Sequence, residues 1–368
     1  MKVIHTGDIH LDSKLSANLP KDKAKERRDE ILKAFVSLVS YAKENGVSKI
    51  LIAGDLFDTR NTSALARNTF KNLLINNPDI SFYYLRGNHD ENTAIDVLDD
   101  KPDNLYLFND SWTGYSLDKE DKVMLYGVEL NGSNTENVTS IFSPDPSKIN
   151  IVMLHGQDTE TVCVEKAETI NVRAFKNKGI NYLALGHVHA YKSWELDAMG
   201  KACYCGCLEG RGFDETGEHG FVVLDIDEEK GTVTDTFVPF AKRHLFEVNV
   251  DVSMCDGTLS MIEEVKKTVK KENITSNDLV KIVLTGKVDV DFEKDTDFIR
   301  HTLEGDYYFV KVYDKTEIYV DPKDYMLDKS LKGEFVRQVL SSDEISDEEK
   351  GEVIKFGLNA LMGGKTTL

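Results

Sequence analysis

The chain has 368 residues, 40% hydrophobic and 30% charged, which places it among globular proteins with room for a large core and two domains. No apolar run approaches the roughly 20 residues that cross a bilayer, which argues against a transmembrane protein. The formal net charge of −19 is the reverse of the basic footprint of most nucleic-acid binders, although carboxylates that hold metal ions would be neutralised on folding.

Met1-Lys2 leads straight into a strand with no signal-peptide pattern, so a cytoplasmic location is expected. That strand, Lys2 to Thr6, ends at Gly7-Asp8-Ile9-His10, and His5 inside it reads as a buried histidine. Residues 13–28 carry Lys14, Lys21, Lys23, Lys25, Arg27 and Arg28 against Asp22 and Glu26, either a solvated helix start or a phosphate contact. Ile31, Leu32, Phe35, Leu38, Val39 and Ala42 predict a helix from about Arg27 to Lys43, closed by Asn45-Gly46. Lys49–Ala53 is an apolar strand ending at Gly54-Asp55-Leu56-Phe57-Asp58, and a helix follows from Thr62 to about Asn76. The β-branched and aromatic strand Ile80–Leu85 leads into Arg86-Gly87-Asn88-His89-Asp90. Strand, polar turn and helix in repetition predict an α/β fold whose chemistry gathers beyond the C-terminal strand ends.

Short strands at 105–108, 112–117 and 123–128 predict a second, more antiparallel sheet. A strand over 149–154 ends at His155-Gly156, a helix is expected near 169–177, and a strand over 182–185 ends at Gly186-His187-Val188-His189. Strands near 202–208, 220–226 and 232–238 complete a first domain, 1–241. Five cysteines in so long a chain make no disulfide framework. Cys203, Cys205 and Cys207 would share one strand face, where packing is the simpler reading and a soft metal the alternative. Residues 242–325 read as a small α/β capping module with no catalytic cluster. Its predicted elements are strands at 244–250, 279–285 and 307–313 (continuing into 318–320) and helices at 258–271 and 292–303. Residues 326–368 hold two amphipathic helices, 331–340 and 347–361, that pack on their own body or on a partner. Gly363-Gly364-Lys365-Thr366-Thr367 is no phosphate loop, because Asn359 stands where the pattern needs glycine.

The strand-end clusters together hold Asp8, His10, Asp55, Asn88, His155, His187 and His189. Imidazole mixed with carboxylate suits divalent transition metals such as Mn²⁺ or Fe²⁺. Seven ligands exceed one ion and suit two if a carboxylate bridges, and Asp55 is central in chain order. A lone His-x-His or Gly-Asp-x-x-Asp is more often structural, but five such pieces at five predicted strand ends are hard to assign to chance. Asp12, His219, His244 and His301 have no comparable context.

Asp-x-His, Gly-Asp-x-x-Asp, Gly-Asn-His-Asp, His-Gly and Gly-His-x-His in this order resemble the calcineurin-like metallophosphoesterase superfamily, over residues 1 to about 240. Within it, Asp8-Ile9-His10-Leu11-Asp12-Ser13 and the stretch Tyr204 to Glu215 resemble Mre11/SbcD nucleases of the YhaO-like branch, with cysteines where those have Pro and Ser or Asn. The resemblance implies a four-layer αββα sandwich with a DNA-facing cap. It implies one Mn²⁺ on Asp8, His10, Asp55 and His189, and another on Asp55, Asn88, His155 and His187, with Fe²⁺ or Zn²⁺ as alternatives. His89 would act on the scissile phosphate or the leaving oxygen, with Asp90 orienting it. Arg86, Arg60 and Arg211 are candidate substrate contacts. The implied partners are DNA, a second copy of the chain, and an SMC/Rad50-like coiled-coil ATPase on the C-terminal helices. The expected activity is exonucleolytic phosphodiester hydrolysis in DNA repair. A phosphoesterase for small substrates such as cyclic nucleotides is the alternative that the acidic charge favours, and a mainly partner-binding subunit is the third reading.

Overall fold

The computed structural model describes residues 1–15, 19–58, 62–90, 101–135, 137–159, 169–289, 292, 294–319 and 325–361. The chain divides into two compact units, Met1–His244 and Leu245–Leu368. The first unit begins β1 (Lys2–Thr6), α1 (Lys21–Glu44), β2 (Lys49–Ala53), α2 (Ala64–Asn76), β3 (Ser81–Leu85) and β4 (Leu105–Leu107). Then come β5 (Thr113–Ser116), β6 (Val123–Gly127), α3 (Val138–Ile141), β7 (Ile149–His155), β8 (Gln157–Asp158) and β9 (Thr169–Ile170). It closes with β10 (Tyr182–Gly186), β11 (Lys192–Glu195), β12 (Lys201–Tyr204), β13 (Gly220–Asp227) and β14 (Thr232–Pro239).

Two six-stranded sheets, ordered β14-β13-β1-β2-β3-β4 and β11-β12-β10-β7-β6-β5, lie face to face. Side-chain alternation along each strand sends Val3, Leu51 and Leu85 to meet Leu125, Met153 and Ala184 in the core between them. The opposite face of the first sheet carries Ile4, Ile50, Ile52 and Phe82, all fully buried, as are Ile31, Phe35 and Leu38 of α1 and Phe70 of α2. Val152, Leu154, Leu183 and Leu185 on the second sheet pack with Val138, Phe142, Val172 and Phe175. The architecture is the αββα sandwich, and each fully buried Leu or Phe contributes about 1.5–3 kcal/mol.

Several elements differ from expectation. The second sheet is not mainly antiparallel: β12, β10, β7 and β6 run parallel, and only the edge strands β11 and β5 are antiparallel to their neighbours. β4 joins the first sheet beside β3. Apolar alternation marks a strand but carries no information about which strand it pairs with. The expected helix near 169–177 is β9 followed by a single 3₁₀ turn, Val172–Phe175. α1 starts at Lys21, and Arg27 is buried in it against Glu30 and Glu209 instead of presented to phosphate. α2 starts at Ala64, with Ser63 accepting the Ala66 N–H as its cap. Cys203 and Cys205 pack in the core between the sheets, but Cys207 is not part of that core, because the chain turns at Gly206, at φ +74°, after β12 has ended.

The second unit contains β15 (Leu245–Asp251), α4 (Thr258–Val269), β16 (Leu279–Thr285), β17 (Lys287–Asp289) and α5 (Thr296–Leu303). β18 (Phe309–Asp314), β19 (Glu317–Tyr319), α6 (Leu331–Ser341) and α7 (Asp347–Leu361) follow. β15, β16 and β18 form a parallel sheet, against which Met261 and Val265 of α4 and Ile299 and Leu303 of α5 pack. β19 does not prolong β18. It pairs with β17, and Val320 lies outside the described residues. Val336 and Val339 of α6 pack on Ile354 and Leu358 of α7, so the two stripes meet each other in a small core of their own. Among the described residues no helix is long and apolar enough to cross a membrane.

Candidate metal centre

Parallel registry sets the site. Thr6 pairs with Ile52 and Ala53 with Leu85, so β1, β2 and β3 end level and deliver Asp8, Asp55 and Asn88 together. In the second sheet Gly186 pairs with His155, so the ends of β7 and β10 deliver His155, His187 and His189. The two groups meet because Gly186 lets the sheets touch: a Cβ there would stand 1.7 Å from the Ala53 carbonyl oxygen. Gly54, at φ +89°, leaves room for His155 in the same way, with a Cβ position 2.0 Å from its Nδ1. Asp8, His10, Asp55 and His187 all adopt positive φ without being glycine, a backbone cost that concentrates here.

Asp8, His10 and His189 converge in one cluster, and Asp55, His155 and His187 in another. Asp55 stands between them. Its Oδ2 lies 3.7 Å from His10 Nε2 and 3.4 Å from His155 Nε2. Its Oδ1 accepts the His89 backbone N–H at 2.9 Å. Asn88 Oδ1 lies 3.1 Å from His155 Nε2, and the Asp8 carboxylate accepts the His187 N–H at 2.9 Å.

His155 Nδ1 has a hydrogen-bond acceptor that sets its tautomer, and two other ring nitrogens lie beside carboxylates. His155 Nδ1 faces the Ala53 carbonyl oxygen at 2.9 Å, His189 Nδ1 faces Glu215 Oε1 at 2.7 Å, and His10 Nδ1 faces Asp58 Oδ1 at 3.1 Å. With the protons on Nδ1, every Nε2 turns a lone pair inward. His10 Nε2 and His189 Nε2 then face each other at 3.2 Å, and His155 Nε2 faces the Asn88 and Asp55 oxygens. Lone pairs directed at lone pairs in a buried pocket repel unless a cation lies among them, so this donor set fits divalent metal.

The protonation equilibria show how strongly the buried carboxylates attract positive charge at this site. Burial works against a charge on His155, yet Asp55 and Asp8 outweigh it and raise its pKa to about 10. Burial raises Asp8 to about 6, whereas the surrounding histidines hold Asp55 well below the usual carboxylate range despite its burial. Burial lowers His10 and His187 to about 4 each, His187 with help from neighbouring His155.

His89 Nδ1 lies 3.3 Å from the Asp58 carbonyl oxygen. His89 also lines a cavity of about 460 Å³ with His187, His189, Arg211, Glu215 and His219. Asp90 does not orient that ring. Its buried carboxylate accepts the backbone N–H groups of Leu56, Phe57 and Gly87, and so ties the loop after β2 to the loop after β3. Arg86 is engaged by Glu129 at 2.9 Å, and Arg211, which lines that cavity, by Asp58 and Glu215. Arg60 lies outside the described residues. His5 is fully buried, with Nδ1 3.0 Å from the Tyr182 hydroxyl, and burial lowers its pKa to about 3.

Sequence reasoning passed over Asp58, Glu215, His219 and Asp12 as partners. Asp58 closes a motif already in view, and Glu215 is four residues from Arg211, which were the available signals. His219 is buried, with Nε2 2.9 Å from the Glu215 carbonyl oxygen and Nδ1 3.3 Å from Cys207 Sγ. Asp12 accepts the Ser63 N–H at 2.7 Å, beside the start of α2. No sequence pattern announced either contact.

Residues 1–191 match the model of the calcineurin-like phosphoesterases. The chain belongs to that family. As a calcineurin-like phosphoesterase it is 27% identical over 298 residues to a protein named as the uncharacterized metallophosphoesterase YhaO of Bacillus subtilis (strain 168). That match covers 77% of this chain and 71% of the relative. It is 26% identical over 289 residues to the DNA double-strand break repair protein Mre11 of Haloferax volcanii, covering 73% of this chain and 58% of that protein. It is 24% identical over 308 residues to the protein of the same name from Sulfurisphaera tokodaii, covering 78% and 74%. Among solved structures, a dimetal phosphatase from Danio rerio superposes with TM-score 0.41 at 11% identity, over 61% of this chain and 92% of that one. A Thermus thermophilus protein, TT1561, gives TM-score 0.40 at 11% identity, over 64% and 98%.

Proposed function

We propose that this phosphoesterase is a metal-dependent DNA nuclease, acting as an exonuclease subunit in DNA repair. Asp8, His10, Asp55 and His189 hold one divalent ion, and Asp55, Asn88, His155 and His187 the other, with Mn²⁺ the expected metal. The observation that carries the two-ion reading is Asp55 Oδ2, within 3.7 Å of a ring nitrogen from each cluster. The nuclease reading is supported by relatives named Mre11 whose similarity extends over 73% and 78% of the chain, well past the phosphoesterase match.

Two ions at such a site supply an activated water and charge stabilisation for in-line displacement at phosphorus. The chain's own residues provide the rest. Asp58, Glu215 and Ala53 hold three imidazoles in the ligating tautomer. Asp90 holds the two ligand-bearing loops together. His89, in the same cavity, stabilises the phosphate or protonates the departing oxygen. Residues 242–325 act as a DNA-facing cap, and the C-terminal helices bind a coiled-coil ATPase of the SMC/Rad50 kind. The protein works as a homodimer in the cytoplasm.

Purified protein with Mn²⁺ should degrade linear DNA, and a chelator should abolish the activity until Mn²⁺ is restored. Hydrolysis of a small aryl phosphodiester with none of DNA would overturn the nuclease reading and leave the small-substrate phosphoesterase, which the net charge of −19 favours.

A further inference from the structure

We propose that Arg211 is a positioning residue that braces one ion of the pair selectively, by tying together the two carboxylates that orient His10 and His189. This rests on the two-ion reading above. The Arg211 guanidinium reaches Asp58 Oδ1 through one terminal nitrogen at 3.0 Å, and Glu215 Oε1 through the other at 3.1 Å. Its Nε lies 3.3 Å from the same Glu215 oxygen, and its backbone N–H donates to Glu215 Oε2 at 2.7 Å. These oxygens are the ones that face the histidines: Asp58 Oδ1 is 3.1 Å from His10 Nδ1, and Glu215 Oε1 is 2.7 Å from His189 Nδ1. One guanidinium therefore fixes the spacing between two carboxylate–histidine pairs, and both pairs serve the cluster of Asp8, His10 and His189.

Among the described residues the other cluster has no such brace. His155 Nδ1 is held by the Ala53 carbonyl oxygen, a backbone atom fixed by the sheet. Charge points the same way. Asp58 and Glu215 are largely buried, at 16% and 9% side-chain exposure, and two buried carboxylates behind neutral imidazoles need a cation to remain together. A planar guanidinium meets two acceptors in fixed directions, which a lysine ammonium does not. Arg211 thus accounts for the cation at the cavity wall without assigning it to substrate.

The test is Mn²⁺ binding to the full chain by titration calorimetry, for wild type, R211A and R211K, alongside thermal melting of each metal-free protein. Wild type should bind two ions. R211A should keep one at wild-type affinity and bind the second about 10–100-fold more weakly, the usual consequence of losing an outer partner of a ligand. R211K should resemble R211A. Electron paramagnetic resonance at two equivalents should show free Mn²⁺ in both variants and none in wild type. Two ions bound by R211A as tightly as by wild type, with a raised KM for DNA, would make Arg211 a substrate contact and overturn the proposal. Equal weakening of both ions would overturn the selectivity. If R211A does not melt cooperatively, R211K is judged by the same criteria, and wild-type binding by R211K overturns the brace. A wild type that binds fewer than two ions would refute the two-ion reading instead.

Discussion

Asp90→Asn is the substitution that separates a loop tie from an orienting group for His89. The Asp90 carboxylate is fully buried and accepts three backbone N–H groups, Leu56 at 3.2 Å, Phe57 at 2.9 Å and Gly87 at 3.0 Å. Oδ2 takes two of them, so the amide's best orientation keeps its oxygen there and turns its NH₂ toward the Phe57 N–H. One charge-assisted hydrogen bond is lost, and one buried donor is left facing another. A hydrogen bond to a charged group contributes about 1.5–3 kcal/mol and an unsatisfied buried group costs about 1–3, but the amide also relieves a buried charge, so a net loss of about 1–3 kcal/mol is expected. For a unit the size of Met1–His244 that corresponds to roughly 2–12 °C in melting temperature. Burial raises the Asp90 pKa to about 6, so ionisation of the wild-type group costs stability as pH rises through 6, and the deficit of the variant should be larger at pH 5 than at pH 8. The assay is metal-free thermal unfolding followed by circular dichroism, paired with turnover at saturating Mn²⁺. A variant that melts like wild type but loses turnover as fully as His89→Ala would refute the reasoning and restore an orienting role.

Three further outcomes are expected. His89→Ala should bind both ions normally yet lose turnover about 10²–10⁴-fold, measured on DNA with calorimetric metal binding as the control. Gly54→Ala should melt lower by at least about 1 kcal/mol, since alanine at φ +89° is strained and its Cβ would displace His155. It should also weaken Mn²⁺ binding in calorimetry, and normal binding would show that the ring can move aside. Glu30 should make stability acid-sensitive. Burial disfavours its charge, but hydrogen bonds from Arg243, Lys242 and Arg27 prevail and lower its pKa from 4.5 to about 2. Its contribution is therefore complete above about pH 4.5 and is lost as pH falls toward 2. Melting curves of wild type and Glu30→Gln should differ at pH 6 and draw together as pH falls below about 4.5 toward 2, whereas parallel curves would show that the network is not pH-linked.

Sequence by itself determined which residues gather at the candidate metal centre. Asp8, Asp55, Asn88, His155 and His187 each follow a β-strand pattern directly, and both the pattern and the polar turn are local features, readable within a few residues. The α/β fold class was legible for a related reason, because repeated strand, turn and helix leaves few ways to bury every apolar face, whereas the four-layer αββα arrangement was implied by the resemblance of the motifs. Sheet membership was less legible, because β4 and β5 have similar local patterns and differ only in the strands they pair with. The contacts that orient the ligands belonged to tertiary structure alone. Arg211 and Asp58 are separated by 153 residues, and His189 and Glu215 by 26, so no periodicity or spacing ties them. Asp90 shows the same limit at short range. Beside His89 in sequence, it looks like that histidine's partner, but the turn directs its carboxylate to backbone donors from the loop after β2. Residue type and strand position chose the candidate ligands, and packing between distant loops decided what holds each one in place.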